Sequence, residues 1–204
     1  MRRTLLAAIL LLLSALPGRA DDFGSWHFIQ ATKTLGGSDA YVGFRAEYRD
    51  CNGFSATERW YVRPIVGYRF TPWLKGEAMY DFMRKPGDIQ IHQAMVGLTA
   101  TLRSGPLSVS LRERYQYSYN ATAGTAKNYI RSYLKTAYAI PQSRFTSYLA
   151  VELFTWDSWI KTRHYVGTSI RLWEQGSLEV YYLYHTFASQ EASHILGLGC
   201  NFAL

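Results

Sequence analysis

Apolar and polar positions alternate along most of this chain. Over 161–172, Lys161, Arg163, Tyr165, Gly167, Ser169 and Arg171 fall on one face, opposite Thr162, His164, Val166, Thr168, Ile170 and Leu172. Successive side chains of a strand point to opposite faces, so a period of two marks a strand with one polar and one apolar face. Over 41–49, Arg45, Glu47 and Arg49 oppose Val42, Phe44, Ala46 and Tyr48. Over 59–70, Arg59, Arg63 and Arg69 oppose Trp60, Val62, Val66, Tyr68 and Phe70. Similar runs cover 74–83, 107–119 and 129–139, with further candidates at 25–34, 89–103, 144–156, 177–187 and 193–203. In 107–119 one residue breaks the pattern, because Glu113 sits among the apolar positions.

These eleven runs are mostly long enough for the roughly 9–11 residues that a tilted strand needs to cross a bilayer. Tight turn signals at 36–38, 71–72, 104–106, 141–143 and 174–176 alternate with longer polar connections at 51–56, 84–88, 120–127, 157–160 and 188–192. Aromatic residues gather at the run ends. Tyr68, Phe70, Trp73, Tyr138, Phe145 and Trp173 lie near the turns, whereas Tyr48, Trp60, Phe82, Tyr117, Tyr119, Phe154, Trp156, Trp159, Tyr184 and Phe187 lie near the loops. Two interfacial girdles are expected from such rings. The pattern predicts an all-β fold: a single transmembrane up-and-down antiparallel β-barrel of 10–12 strands over residues 21–204. A soluble sandwich fits less well, because its strands rarely reach twelve residues. Bacterial barrels usually have even strand numbers, so either 25–34 stays out, giving ten, or a further strand makes twelve. Pro64, inside a strand run, predicts a bulge.

Composition agrees: 204 residues, 48% hydrophobic and 16% aromatic, against 18% charged. Residues 1–20 carry Arg2 and Arg3, nine apolar residues over 5–13 and small residues up to Ala20, which is the pattern of a cleaved signal peptide. Its loss would remove three of 22 Lys and Arg, leaving 19 against 15 Asp and Glu, so that the charge falls from +7 to +4. That small excess offers no case for nucleic acid. Cys51 and Cys200 fall at opposite ends of their strands, which predicts two thiols rather than a bridge. No motif calls for a cofactor or metal.

The polar faces hold the candidate chemistry. Arg45, Arg49, Arg63, Arg112, Arg114, Arg131, Lys135, Arg163 and Arg171 join Glu47, Glu77 and Glu152 as a lumen cluster, with Arg59, Arg69, Lys75, Lys161, Asp81 and Glu179 on the same faces. A barrel of this size has a narrow interior that long side chains can fill. Two readings follow: a salt-bridged plug, or a small basic conduit for anions. A lipid hydrolase is a third, with His185 near Ser189 or Ser193 beside His194, although neither pair matches a hydrolase motif. A surface-ligand-binding barrel is a fourth. Val166 and Ile170 are expected to face lipid, and Arg163 and Arg171 the lumen; Gly167 should tolerate Ser unless long lumen side chains pack on it.

The order of short motifs resembles a bacterial outer-membrane family catalogued as domain of unknown function 2490. The matching residues are Trp26, Arg45-x-Glu47-x-Arg49, Gly67-Tyr68-Arg69-Phe70, Arg112-x-Arg114-Tyr115-Gln116-Tyr117, Ile130-Arg131-Ser132-Tyr133-Leu134 and Val151-Glu152-Leu153-Phe154. Tyr165-Val166-Gly167, Val180-Tyr181-Tyr182 and Gly197-Leu198-Gly199 complete the series. The resemblance covers nearly the whole chain after residue 20. It implies an outer-membrane barrel, with outer-membrane lipids and the barrel-assembly machinery as partners, and no established activity. Closure on Ala203-Leu204 rather than an aromatic residue departs from the usual barrel ending. A small anionic solute is the candidate partner of the lumen.

Overall fold

The computed structural model describes residues 23–189 and 191–204; the expected leader over 1–20 lies outside them. Eleven strands run in chain order: β1 (Phe23–Thr34), β2 (Ala40–Cys51), β3 (Ala56–Thr71), β4 (Leu74–Lys85), β5 (Ile89–Ser104), β6 (Leu107–Asn120), β7 (Thr125–Ala139), β8 (Phe145–Trp156), β9 (Ser158–Trp173), β10 (Gly176–Phe187) and β11 (Ser193–Ala203). Consecutive strands pair antiparallel, and β1 closes the barrel against β11.

The strand number is odd, which corrects the expectation of ten or twelve. Residues 25–34 do form a barrel strand. After ten reversals the first and last strands point the same way, so β1 and β11 pair parallel, from Phe23 opposite His194 to Thr32 opposite Ala203. The ladder between them continues the closure without an open edge.

The expected contrast between short turns and long loops is nearly erased. One rim carries connections 35–39, 72–73, 105–106, 140–144 and 174–175; the other carries 52–55, 86–88, 121–124, 157 and 188–192. The strands extend into the segments read as loops, so that Asn120 pairs Thr125 and Trp156 pairs Ser158. Asp157 alone makes the β8–β9 reversal, in the left-handed region at φ 56°. These are called below the turn rim and the loop rim.

Pro64 needs no bulge. Its β2 pairing with Phe44 is in register, and the irregularity of that pair lies at Arg49/Asp50. On the β4 side the ladder skips Arg63 and Pro64 and resumes at Ile65 opposite Met79 with register unchanged. Proline supplies no N–H there. Arg63 bridges the gap with its side chain, its Nε and Nη2 donating to the two Asp81 oxygens at 2.5 and 2.7 Å.

Burial follows the period of two and inverts the distribution of a water-soluble domain. Val66, Leu102 and Leu149 are each at least 60% exposed on the outer wall, while Glu47, Asp81 and Glu152 are at most 4% exposed. Large contiguous apolar surface marks contact with another apolar phase. Trp60, Trp73, Trp156, Trp159 and Trp173 stay exposed near the rims, as expected of girdles. Phe154 and Phe187 do not belong to the girdle. Phe154 shares the face of Glu152 and is 3% exposed, and Phe187 shares that of buried His185 and stacks on it. Glu113 does project from the outer wall midway along β6, where the Ser132 hydroxyl donates to it at 2.7 Å. No disulfide joins Cys51 and Cys200.

Candidate functional site

Two carboxylates organise the lumen. Glu47 is flanked at i−2 and i+2 by Arg45 and Arg49, so a single strand places all three on one face. Arg49 donates from Nε at 2.6 Å and pairs through Nη2 at 2.5 Å; Arg45 pairs with the other oxygen, which also accepts the Tyr61 hydroxyl at 2.7 Å. Glu152 on β8 gathers arginines from three other strands. Arg112 on β6 and Arg131 on β7 reach Oε1 at 3.0 and 2.8 Å, and Arg163 on β9 reaches Oε2 at 3.2 Å. The Tyr165 hydroxyl adds a bond at 3.4 Å. A buried charge is tolerated only when paired, and these charge-assisted bonds are the strong ones available.

Aromatic faces carry the guanidinium planes. Arg49 lies 3.6 Å over the Trp26 ring and Arg45 3.7 Å over Phe28. Arg131 and Arg163 both stack on Phe154, at 4.5 and 4.6 Å. Stacking fixes these long side chains and adds about 0.5–2 kcal/mol each.

Three cross-strand positions place arginine directly opposite arginine: Arg45/Arg63, Arg49/Arg59 and Arg114/Arg131. Such like-charge pairs are destabilising unless each member finds a counterion. Arg45 and Arg49 find Glu47, Arg63 finds Asp81, Arg131 finds Glu152, and Arg59 pairs with Glu58. Arg114 finds none among the described residues. Lys161 has no carboxylate partner there either, and rests 4.5 Å from the Phe154 ring centre.

The space left within this arginine lattice is about 180 Å³. Nine cations line it (Arg45, Arg49, Arg59, Arg63, Arg112, Arg114, Arg131, Lys161 and Arg163) against the four carboxylates of Glu47, Asp81, Glu152 and Glu179. It is smaller than the 300–1,000 Å³ typical of pockets for drug-sized ligands.

Nearer the turn rim the interior is built differently. Glu77 accepts the Tyr41 hydroxyl at 2.7 Å and Lys75 at 2.9 Å. Glu179 accepts the Tyr148 hydroxyl at 2.5 Å, and Lys135 lies 3.8 Å over the same tyrosine ring. Glu77 and Lys135 therefore face inward but stand apart from the arginine lattice. Arg171 is not drawn in at all. It is exposed at the turn rim beside Ser177, because a residue near a strand end has the right parity and the wrong depth. Tyr61, Tyr133, Tyr165, Tyr181, Gln93 and Gln116 also line the cavity. Their parity matched the charged positions, but their polar–apolar character gave no separate sign.

The hydrolase pairs do not form. The His194 ring meets Tyr182 at 2.5 Å, and His185 Nε2 is buried without a partner among the described residues. Ser25 does meet His27 Nε2 at 2.6 Å. Its N–H and hydroxyl both donate to Asp50, each at 2.6 Å, so the carboxylate holds the serine rather than orienting the histidine. This arrangement straps β1 to the bulged end of β2 and lacks the relay order of a nucleophilic triad. No three His, Cys, Asp or Glu side chains converge as metal ligands among the described residues.

Comparison with known proteins agrees with the barrel. A solved structure described as "KdgM porin in complex with disordered oligogalacturonate" superposes with a TM-score of 0.53 at 13% identity, covering 87% of this chain and 96% of that one. One described as "NanC porin structure in rhombohedral crystal form" gives a TM-score of 0.48 at 15% identity, covering 90% and 99%. At 13% identity the likeness to the first is one of fold alone. No curated protein matches the chain. A family model does match, over residues 23–194, and the chain thereby belongs to the family described as "Protein of unknown function (DUF2490)".

Proposed function

We propose that this protein is a barrel of the bacterial outer membrane, exported by a leader over residues 1–20, whose narrow lumen selects small anions over cations and neutral solutes. It acts by passage of solute and not by catalysis. The observation that carries the reading is the charge balance of the cavity, nine cations against four carboxylates. A low-dielectric wall with one sign of charge in excess concentrates counterions. The ion pairs narrow the lumen without neutralising it, so the plug and the conduit are one arrangement: a constriction lined by fixed positive charge. The apolar outer wall supplies the lipid contact, and the fold is shared with a porin solved in complex with oligogalacturonate.

The experiment is solute entry into proteoliposomes. Gluconate should enter faster than neutral sugars of similar size, and Lys161→Glu should narrow the difference. Equal entry of charged and neutral solutes, or none above protein-free vesicles, defeats the proposal.

A further inference from the structure

We infer that Arg114, assisted by Arg112, forms an oxyanion-binding subsite midway through the lumen, for a small carboxylate- or phosphate-type ion. This deepens the anion-selective reading above and rests on it for its biological setting.

Arg114 is 5% exposed, its guanidinium forms no hydrogen bond or ion pair among the described residues, and its buried Nε–H has no acceptor. A buried charged donor in that state is costly, and native proteins leave few such groups. Its wall explains the isolation. Across the β5–β6–β7 wall the only carboxylate within a strand is Glu113, which points outward. Opposite Arg114 on β5 stands Gly97, where an added Cβ would come within 3.2 Å of the Arg114 Cβ. On the other side stands Arg131, whose own donors are taken by Glu152 and by Gln116 at 2.7 Å. Neither neighbouring strand answers the charge.

Arg112 lies two residues away on the same face and lines the same cavity. Its Nη2 is committed to Glu152, but its Nε–H is also buried without an acceptor. Both guanidinium groups thus line one space, and that of Arg114 brings to it a charge that no carboxylate pairs with among the described residues. The planar fork of arginine matches oxyanions better than a spherical halide. A cavity volume of about 180 Å³ suits a single small ion.

The test uses the whole protein folded in detergent, with inorganic phosphate as the probe. Unfolding is followed by the gel shift between the folded and heat-denatured bands. Phosphate should raise the unfolding temperature of the wild type above that in sodium chloride of equal ionic strength. Arg114→Gln should weaken the apparent phosphate affinity by about tenfold or more, the worth of one bond to a charged group. The same variant should unfold at a higher temperature than wild type in chloride, because it removes an uncompensated buried charge. A merely structural arginine would do the reverse. Lys33→Gln, at an exposed position on the outer face, should change neither quantity. The subsite is refuted if phosphate gives no shift, if Arg114→Gln retains the shift, or if it destabilises the barrel in chloride. A phosphate shift that depends on Arg114, found together with no anion entry into vesicles, would uphold the subsite and remove the conduit.

Discussion

The two ends of the lumen solve the same problem in different ways. Toward the turn rim, Glu77 and Glu179 are answered by tyrosine hydroxyls and one lysine, and rings fill the space. There Gly167 makes room for Tyr148 and Tyr181: an added Cβ would lie 2.6 Å from the Tyr148 ring and 2.7 Å from the Tyr181 Cβ. In the centre, Glu47, Asp81 and Glu152 are outnumbered by nine cations, with Glu179 at the turn-side end of the same cavity, and arginines face arginines across the strands. Packing closes one region, and charge organises the other. At the turn-side end each carboxylate is answered locally, by a tyrosine hydroxyl and for Glu77 also by Lys75, whereas in the centre Arg114 and Lys161 are left without a carboxylate partner among the described residues.

The comparison can be broken most forcefully at its two carboxylates. Glu152→Gln leaves Arg112, Arg131 and Arg163 around a neutral amide and should destabilise the barrel by about 3–5 kcal/mol, the cost of breaking a buried pair. Glu179→Gln, at the turn-side end, keeps an oxygen for Tyr148 and should cost about 1 kcal/mol, one hydrogen bond's worth. Urea unfolding of both variants in lipid vesicles measures the difference. Equal losses would show that the two regions are held alike.

A second pair separates the wall from the lumen at one depth. Val166 faces outward, 45% exposed, and an arginine there should cost about 2–4 kcal/mol near the midplane. Gly167 is its inward neighbour. The sequence allows Ser at Gly167 unless long lumen side chains pack on it; Tyr148 and Tyr181 do, so Ser fits only with displacement, and overpacking of this kind costs about 1–3 kcal/mol. Folded yield after extraction from membranes should therefore fall for both, more for Val166→Arg. Normal assembly of Gly167→Ser would mean that the turn-side rings are loosely packed.

The smallest effect belongs to Lys135→Gln. Lys135 lies over Tyr148 without an ion pair among the described residues, so the loss should stay within about 1 kcal/mol, that of a cation–ring contact. A larger fall in unfolding free energy would give charge a structural role at the turn-side end as well.

Much of this was written in the alternation of residues. Period two assigned the faces of Arg45, Arg114, Glu152 and Val166, and even the odd position of Glu113. The Glu47 node was legible because its arginines sit at i±2 on one strand. The Glu152 node was not, since its arginines come from positions 112, 131 and 163, and their meeting depends on register around the barrel. Depth was equally hidden. Arg171 has the parity of a lumen residue but ends at the rim, while Phe154 and Phe187 have the place along the strand of girdle residues but the parity of inward ones. The closure of eleven strands by a parallel pair follows from long-range pairing between residues about 170 positions apart, which no local pattern records.

The central claim is that fixed positive charge in the constriction chooses the ion. Its most direct test is the reversal potential of the wild-type protein in a planar bilayer under a tenfold potassium chloride gradient. The account predicts a stable conductance whose reversal potential lies toward that of chloride. A reversal potential at zero or toward potassium, or no conductance at all, would contradict it.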